Sequence, residues 1–265
     1  MSLPSTYKSI HLATRPKDHI TPETFTVRQH PTPSPSSLKD GEVLFQPNYC
    51  SLDPAMRGWL NDTRSYIPPV KLGAIMRGES VGRIIAYLHS GLRDEELLLK
   101  DNLITKITLP PNRRPSNALG VLGITGLTAY FRILNIGKVK ARDFVVVSRA
   151  AGATGSILVE ELGFDRALNY KGKNFTKEFR EATKRFRLID MFFDNVGGEV
   201  LDLALSRAKE HSRFVIYRGI LQYNSREIKG PRNYLIIVSI RIRIEGFVVF
   251  NFKREYKKAR KDLAL

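Results

Sequence analysis

Short strand-like runs alternate with turn-forming residues over the first half of the chain. Three such runs are Phe25–Arg28, Glu42–Gln46 and Val81–Tyr87. Between the first two, residues 31–35 carry prolines at alternate positions, and proline lacks the N–H that a sheet needs. This stretch is therefore expected to be a surface connection. The pattern predicts a β-rich domain that ends near residue 118.

One short helix is predicted inside this first half, just after residue 53. Asp53 can accept a hydrogen bond from the first backbone N–H groups, and Pro54 suits the first helical position. Asp53 is therefore interpreted as a helix cap rather than as an acid in a reaction.

The second half alternates between apolar strand-like runs and helical spacing. The run Asp143–Ser148 is of the continuous apolar kind found in buried parallel strands. Further strands are expected at 167–170, 188–193, 213–217 and 247–250, and helices at 123–134, 156–162, 175–186 and after Asp194. This alternation predicts an α/β fold in which residues 119–265 form an incomplete parallel sheet flanked by helices.

Composition excludes several classes of protein. A single cysteine, Cys50, rules out an internal disulfide framework and a multi-thiolate metal site, and the five histidines lack ligand spacing. The N-terminus carries no apolar core of signal-peptide length, and the most apolar run, Tyr234–Ile240, is too short to cross a bilayer. No membrane, metal or oxidising compartment is expected, so the cytoplasm is the predicted location.

Positive charge is concentrated towards the end of the chain. Lys and Arg number 43 against 26 Asp and Glu, and residues 207–265 hold 15 basic and 5 acidic residues. Such an excess attracts polyanions, but it equally suits a phosphate-rich cofactor or a solvated surface. Because no pattern of interleaved aromatic and basic residues accompanies it, nucleic acid is not an expected partner.

A glycine turn joins the strand near residue 145 to the helix that follows. Residues 150–155 read AAGATG, which has the A-x-G-x-x-G form in a strand–turn–helix context. Small residues let the backbone approach a pyrophosphate, and a helix N-terminus offers unpaired N–H groups and a positive dipole end. The alternative interpretation is a tight turn with no ligand.

Five stretches in order along the chain carry a resemblance to a known family. They are residues 49–58 (YCSLDPAMRG), 121–131 (VLGITGLTAYF), the glycine turn, 193–199 (FDNVGGE) and 245–250 (EGFVVF). In these stretches the chain resembles the zinc-independent medium-chain dehydrogenase/reductase superfamily, in its alkenal double-bond and prostaglandin reductase branch. The resemblance implies a partial GroES-like catalytic domain at 1–118 and a partial Rossmann-like NAD(P)-binding domain at 119–265. It also implies NADPH as the cofactor and an enal or enone as the substrate.

The resemblance assigns roles to seven residues. Gly152 and Gly155 would face the pyrophosphate, and Asn195 would lie near the nicotinamide. The remaining four are two tyrosines beside the substrate carbonyl, Tyr49 and Tyr223, and a pair near the adenosine end, Tyr170 and Lys171. A packed aromatic with a satisfied hydroxyl is the alternative reading of each substrate-side tyrosine.

No metal is implied. Zinc-dependent relatives place a histidine where this chain has Gly78.

The chain also departs from the family pattern. Only seven residues separate Gly155 from Gly163, where the family has a longer helix, a second strand and a basic residue for the 2′-phosphate. Residues 88–111 read as a charged helix or a disordered connection, and the chain stops soon after residue 250. Arg149 and Arg218 stand at positions that are small in the family. We therefore expect the adenosine half-site to be absent and NADPH to bind weakly.

Two functional readings follow from the sequence. The first is an NADPH-dependent enone reductase, with a homodimer as a further expectation. The second is a truncated, catalytically inactive family member, in which the basic C-terminal third would bind RNA or another polyanion.

Overall fold

The computed structural model describes residues 3–88, 104, 107–162, 166–186, 188–225 and 227–264. The chain divides into two compact units, Met1–Leu119 and Gly120–Leu265. The predicted stretch 88–111 lies mostly outside the described residues.

The first unit is built from two antiparallel strand pairs. Strand β1 (Thr6–Leu12) pairs with β2 (Phe25–Pro31), and β3 (Glu42–Cys50) pairs with β4 (Ser80–Leu88). A small core of Leu12, Leu60 and Val70 packs between the first pair and the single-turn helix α1 (Met56–Trp59). Asp53 accepts a hydrogen bond from the N–H of Ala55 at 2.7 Å, in the turn that leads into α1. The predicted cap is wrong in detail, because α1 begins at Met56 with Ala55 as its N-cap and no side-chain cap, so Asp53 holds the preceding turn instead.

A four-stranded parallel sheet forms the centre of the second unit. Its strands lie in the order β5 (Val145–Val147), β6 (Ile189–Asp194), β7 (Ala208–Ile216) and β8 (Arg243–Gly246). The helices are α2 (Ile124–Phe131), α3 (Ala153–Leu162), α4 (Phe175–Phe186), α5 (Gly198–Leu205), α6 (Leu235–Ser239) and α7 (Tyr256–Leu263). The predicted parallel sheet flanked by helices, a partial Rossmann fold, is confirmed.

Each face of the sheet carries its own apolar core, because successive side chains of a strand point to opposite faces. Phe192 and Phe214 pack with α4, α5 and α6 on one face. Met191, Phe193 and Val215 pack with α2, α3 and α7 on the other. Helices on both faces explain why β6 reads as a continuous apolar run rather than an alternating one.

The strand predicted at 167–170 is wrong. Residues 166–169 form no regular element, and the turn that follows ends where α4 begins. Asn169 explains the difference: its side chain accepts from the N–H of Lys171 at 3.1 Å, and its carbonyl accepts from the N–H of Gly172 at 2.9 Å. These local bonds hold the backbone in a turn instead of a sheet ladder.

The strand predicted at 247–250 is also misplaced. Strand β8 ends at Gly246, and residues 249–255 form 3₁₀ turns. Phe247 donates a last ladder bond to the carbonyl of Ile216 at 3.1 Å, and Phe247 and Val249 are then buried in the core that α7 covers. The apolar run therefore belongs to a buried helical turn. Among the described residues, no helix combines the length and the apolar character that crossing a bilayer requires.

A phenol–carboxylate hydrogen bond ties α7 to α2. The hydroxyl of Tyr130 donates to Asp262 at 2.5 Å. This bond, together with burial and the negative charges of Asp262 and Glu255, raises the pKa of Tyr130 to about 12. Because the bond needs the protonated phenol, its stabilisation is complete below pH 10 and is lost as the pH rises through about 12.

We therefore expect Tyr130→Phe to lower the free energy of unfolding by about 1 kcal/mol at pH 8, with a difference that disappears above pH 12. Urea unfolding and alkaline titration of tyrosine absorbance measure the two effects. Tyr234→Phe, which removes an exposed phenol from the same unit, is the control. Equal stability of the two variants at pH 8 would contradict the assignment.

Candidate functional site

The glycine turn lies between β5 and α3, at the carboxyl end of the parallel sheet. Ser148 extends the ladder by donating its N–H to the carbonyl of Phe193 at 2.9 Å, and the chain then turns back at Arg149. Arg149 has φ +56°, in the left-handed region that favours glycine. An arginine is strained in this conformation, whereas a glycine would adopt it without strain.

Gly155 is required by the packing of this turn. A Cβ added there would lie 2.3 Å from the carbonyl oxygen of Arg149. At Gly152 a Cβ would instead meet the side chain of Arg149, 3.0 Å from its Nε, so this arginine lies against the glycine. The first helical hydrogen bond of α3 is donated by Ser156 to the carbonyl of Gly152, at 2.8 Å. The first N–H groups of a helix have no acceptor within the helix, and a pyrophosphate can accept hydrogen bonds from them.

The loop after β6 is fixed to the glycine turn by a buried carboxylate. Asp194 is fully buried, and its carboxylate accepts from Ser148 Oγ at 3.1 Å and from the backbone N–H groups of Val196 and Gly197 at about 3 Å. Burial raises the pKa of Asp194, and the hydrogen bonds from Gly197, Val196 and Ser148 oppose that rise. The carboxylate thus joins the ends of two neighbouring strands.

Asn195 is part of the same network. Its backbone N–H donates to Ser148 Oγ at 2.7 Å, and its Nδ2 donates to the carbonyl of Ser148 at 2.8 Å. Since Ser148 precedes the turn, the structure brings together the glycines predicted to face the pyrophosphate and the residue predicted to lie near the nicotinamide.

Arg132 is a residue that the sequence did not single out. It is fully buried at the start of the π-helical turn that follows α2, and its Nη1 donates to Asn195 Oδ1 at 3.0 Å. Its guanidinium stacks 4.2 Å from the ring centre of Phe193 and 4.7 Å from that of Tyr217. Nε and Nη2 have no hydrogen-bond partner among the described residues.

Burial, opposed by Tyr217 and Asp194 and aided by the neighbouring charge of Arg218, lowers the pKa of Arg132 to about 9. Arg218 lies 4.4 Å over the ring of Tyr217 and donates to its hydroxyl at 2.7 Å. Two arginines therefore share one tyrosine at the carboxyl end of β7. The one sequence signal for Arg132 is a charged residue inside an otherwise apolar helical run, 124–136.

Tyr170 and Lys171, predicted for the adenosine end, line one cavity of about 240 Å³. Its other walls come from the start of α4, the first turns of α5 and the loop after β7; they are Phe175, Thr176, Glu199, Val200, Leu203 and Leu221. The structure therefore brings this predicted pair together with the amino-terminal end of α5.

The two tyrosines predicted to lie beside the substrate carbonyl belong to different units. Tyr49 is half exposed on β3, opposite Val81 and directly after an irregularity at Pro47. The neighbouring strand approaches closely there, because a Cβ at Gly82 would lie 2.0 Å from the carbonyl oxygen of Gln46. Tyr223 follows the 3₁₀ turn 220–222 in the second unit and is partly buried.

Among the described residues, no group of three or more His, Cys, Asp or Glu side chains has the arrangement of a metal site.

We expect Gly155→Ala to disturb the turn, because the new methyl group overlaps the carbonyl of Arg149. The free energy of unfolding should fall by about 1–3 kcal/mol. Affinity for a dinucleotide should fall by about fivefold or more, since a loss of about 1 kcal/mol or more of binding free energy at the turn corresponds to such a factor. Urea unfolding and a fluorescence titration with NADPH measure both quantities.

Gly246→Ala is the matched control for this variant, because a Cβ at Gly246 meets no atom within 4 Å. If the two alanine variants unfold and bind alike, the close approach at Gly155 is not what shapes the turn.

Comparison with known proteins identifies relatives along most of the chain. Residues 8–108 match a family described as the N-terminal domain of an oxidoreductase. The chain is 32% identical to NADPH-dependent curcumin reductase of Escherichia coli, over 90% of this chain and 79% of that protein. It is 34% identical to bovine prostaglandin reductase 1, over 85% of this chain and 78% of that protein.

Solved structures give the same picture. CurA of Vibrio vulnificus in complex with NADPH superimposes with a TM-score of 0.82 at 29% identity, covering 97% of this chain and 87% of CurA. Quinone oxidoreductase of Escherichia coli, also complexed with NADPH, matches with a TM-score of 0.72 at 15% identity, over 97% and 87% of the two chains. The second likeness concerns the fold alone.

Proposed function

Because this chain belongs to the medium-chain dehydrogenase/reductase superfamily, in the group of curcumin reductase and prostaglandin reductase 1, we propose that it is an NADPH-dependent oxidoreductase. Its substrates are α,β-unsaturated aldehydes and ketones, and the reaction reduces the carbon–carbon double bond. We also propose that it works in the cytoplasm, which its single cysteine supports.

The observation that carries the proposal is the network at the carboxyl end of the sheet. Ser148 and Asp194 tie the glycine turn to Asn195, so one rigid unit offers a pyrophosphate turn and an amide on neighbouring strands. Ligands of open α/β sheets bind outside the carboxyl ends of the strands, and a preorganised turn there limits the entropy lost on binding. Gly152, Gly155 and Asn195 would hold the cofactor.

Reduction of an enone is favoured by a hydrogen-bond donor close to the carbonyl oxygen of the substrate. NADPH, when bound, would supply the hydride for the β-carbon of the enone, and a proton from solvent at the α-carbon would complete the reduction. Negative charge develops on the carbonyl oxygen, and a donor aimed at that oxygen lowers the barrier by about 2.7–4 kcal/mol. The proposal assigns this role to the phenol hydroxyls of Tyr49 and Tyr223, which need no metal ion to act.

A homodimer is part of the proposal. Among the described residues β8 lies at an open edge of the sheet, and Leu235 and Val238 of α6 are exposed apolar side chains of the same unit. The mass of the protein in solution by light scattering decides this point.

The enzyme should oxidise NADPH when a simple enone is added, and Tyr49→Phe or Tyr223→Phe should lower turnover by about 10²- to 10³-fold. NADPH affinity should stay nearly unchanged, because each variant keeps the ring and loses only the hydroxyl. Steady-state kinetics with each variant separates the two effects. Tyr7→Phe and Tyr234→Phe, exposed tyrosines of the first and second units, are the controls.

Wild-type turnover in both active-site variants would make these tyrosines packed aromatics and remove them from the site. Absence of NADPH oxidation with a range of enals and enones would refute the proposed reaction itself.

A further inference from the structure

Positive charge is dense along α7 and the turn before it. Residues 253–261 contain six Lys or Arg and one acidic residue, Glu255. Five of the six basic side chains are exposed, and we call them the basic face; they are Lys253, Arg254, Lys257, Lys258 and Lys261. The basic face therefore covers the end of the 3₁₀ turns 249–255 and most of α7.

The other side of α7 is fixed to the rest of the second unit. Ala259 is fully buried in the core that also contains Phe131 of α2. The sixth basic residue, Arg260, donates from Nε to the carbonyl of Leu122 at 3.0 Å. The three lysines of α7 lie within about 100° of one another around the helix axis, because an α-helix has about 3.6 residues per turn. The packing thus leaves a row of ammonium groups facing solvent.

No ion pair compensates the charge of the basic face among the described residues. None of its five side chains forms an ion pair or a hydrogen bond with another described residue. Asp262, near the end of α7, accepts a hydrogen bond from the hydroxyl of Tyr130 instead. Lys257 is four residues from both Lys253 and Lys261, a spacing at which like charges destabilise a helix. An anionic partner would remove this repulsion.

The surroundings of the basic face favour one class of anionic partner. Among the described residues 245–264, no large apolar side chain is exposed. A helix that enters a membrane surface and the centre of a protein–protein interface both need exposed apolar or aromatic side chains. The phosphate backbone of a nucleic acid is instead bound by Lys and Arg through charge, in a way that carries no sequence information. The charge and the missing apolar anchors therefore favour a nucleic acid.

We propose that the basic face binds the phosphate backbone of single-stranded RNA without reading its sequence. RNA is the nucleic acid that is abundant in the cytoplasm, where the protein is proposed to work. The expectation that nucleic acid is not a partner rests on missing aromatic residues. Such residues stack on bases, whereas contacts to phosphates need only cationic side chains. The inference is independent of the proposed reaction, because no residue assigned to cofactor or substrate belongs to the basic face.

Fluorescence anisotropy of the full chain with a labelled oligouridine of about 20 nucleotides tests this proposal at several salt concentrations. The test variant combines Lys257→Gln, Lys258→Gln and Lys261→Gln. Its affinity should fall by about tenfold or more at about 0.1 M salt, because three phosphates lose their cationic partners. The slope of log affinity against log salt should become shallower by about 2, since each neutralised phosphate of a single strand contributes about 0.7.

The matched control combines Lys177→Gln, Arg180→Gln and Lys184→Gln, which removes three exposed positive charges from α4 and gives the same net charge. Its affinity should stay within about threefold of wild type. A second variant, in which the three lysines of α7 become arginines, keeps the charge and should keep the binding.

Equal losses in the two glutamine variants would overturn the proposal, because attraction by the overall charge would then explain the binding. Wild-type affinity in the α7 glutamine variant, or no binding of oligouridine by wild type, would also overturn it. So would tighter binding to vesicles of phosphatidylserine and phosphatidylcholine than to oligouridine at the same salt concentration.

Discussion

The buried carboxylate of Asp194 is the interaction on which the second unit's carboxyl edge depends. An ionised carboxylate that loses its water must be hydrogen-bonded, or the folded state becomes strongly unfavourable. Here the donors are Ser148 Oγ and the N–H groups of Val196 and Gly197, which belong to the segments after β5 and β6. Satisfying one charge therefore fixes two loops at once. The hydrogen bonds that Asp194 requires therefore also fix the positions of the glycine turn and Asn195.

The strand order of the sheet explains where the chain departs from a complete dinucleotide-binding fold. In the usual doubly wound order, the first strand lies between the second and the fourth, and the second carries the ribose-recognising residue. Here β5 pairs with β6 on one side, and the described residues provide no strand on the other. Among the described residues the glycine turn is therefore retained without the strand that carries the ribose-recognising residue in the complete fold.

Much of this arrangement could be predicted from the sequence, and the failures have physical causes. The parallel strands were predictable because β6 is covered on both faces and therefore needs a continuous apolar run. The glycine turn was predictable because Gly155 has no room for a side chain, so that a glycine must stand there in the sequence. The strand predicted at 167–170 failed because Asn169 forms local hydrogen bonds that compete with a ladder. The burial of Arg132 was not predictable because the rings that contact it, Phe193 of β6 and Tyr217 just after β7, are distant from it in sequence. Periodicity predicts the burial of apolar residues and gives no sign of a buried guanidinium.

The central claim is that the carboxyl edge organised by Asp194 is the cofactor site. A crystal structure of the full chain grown with NADP⁺ tests it most directly. The account predicts the pyrophosphate against residues 150–155 at the start of α3, with the nicotinamide end towards Asn195. A dinucleotide bound elsewhere on the chain, or a turn closed by the Arg149 side chain with no dinucleotide against it, would contradict the account.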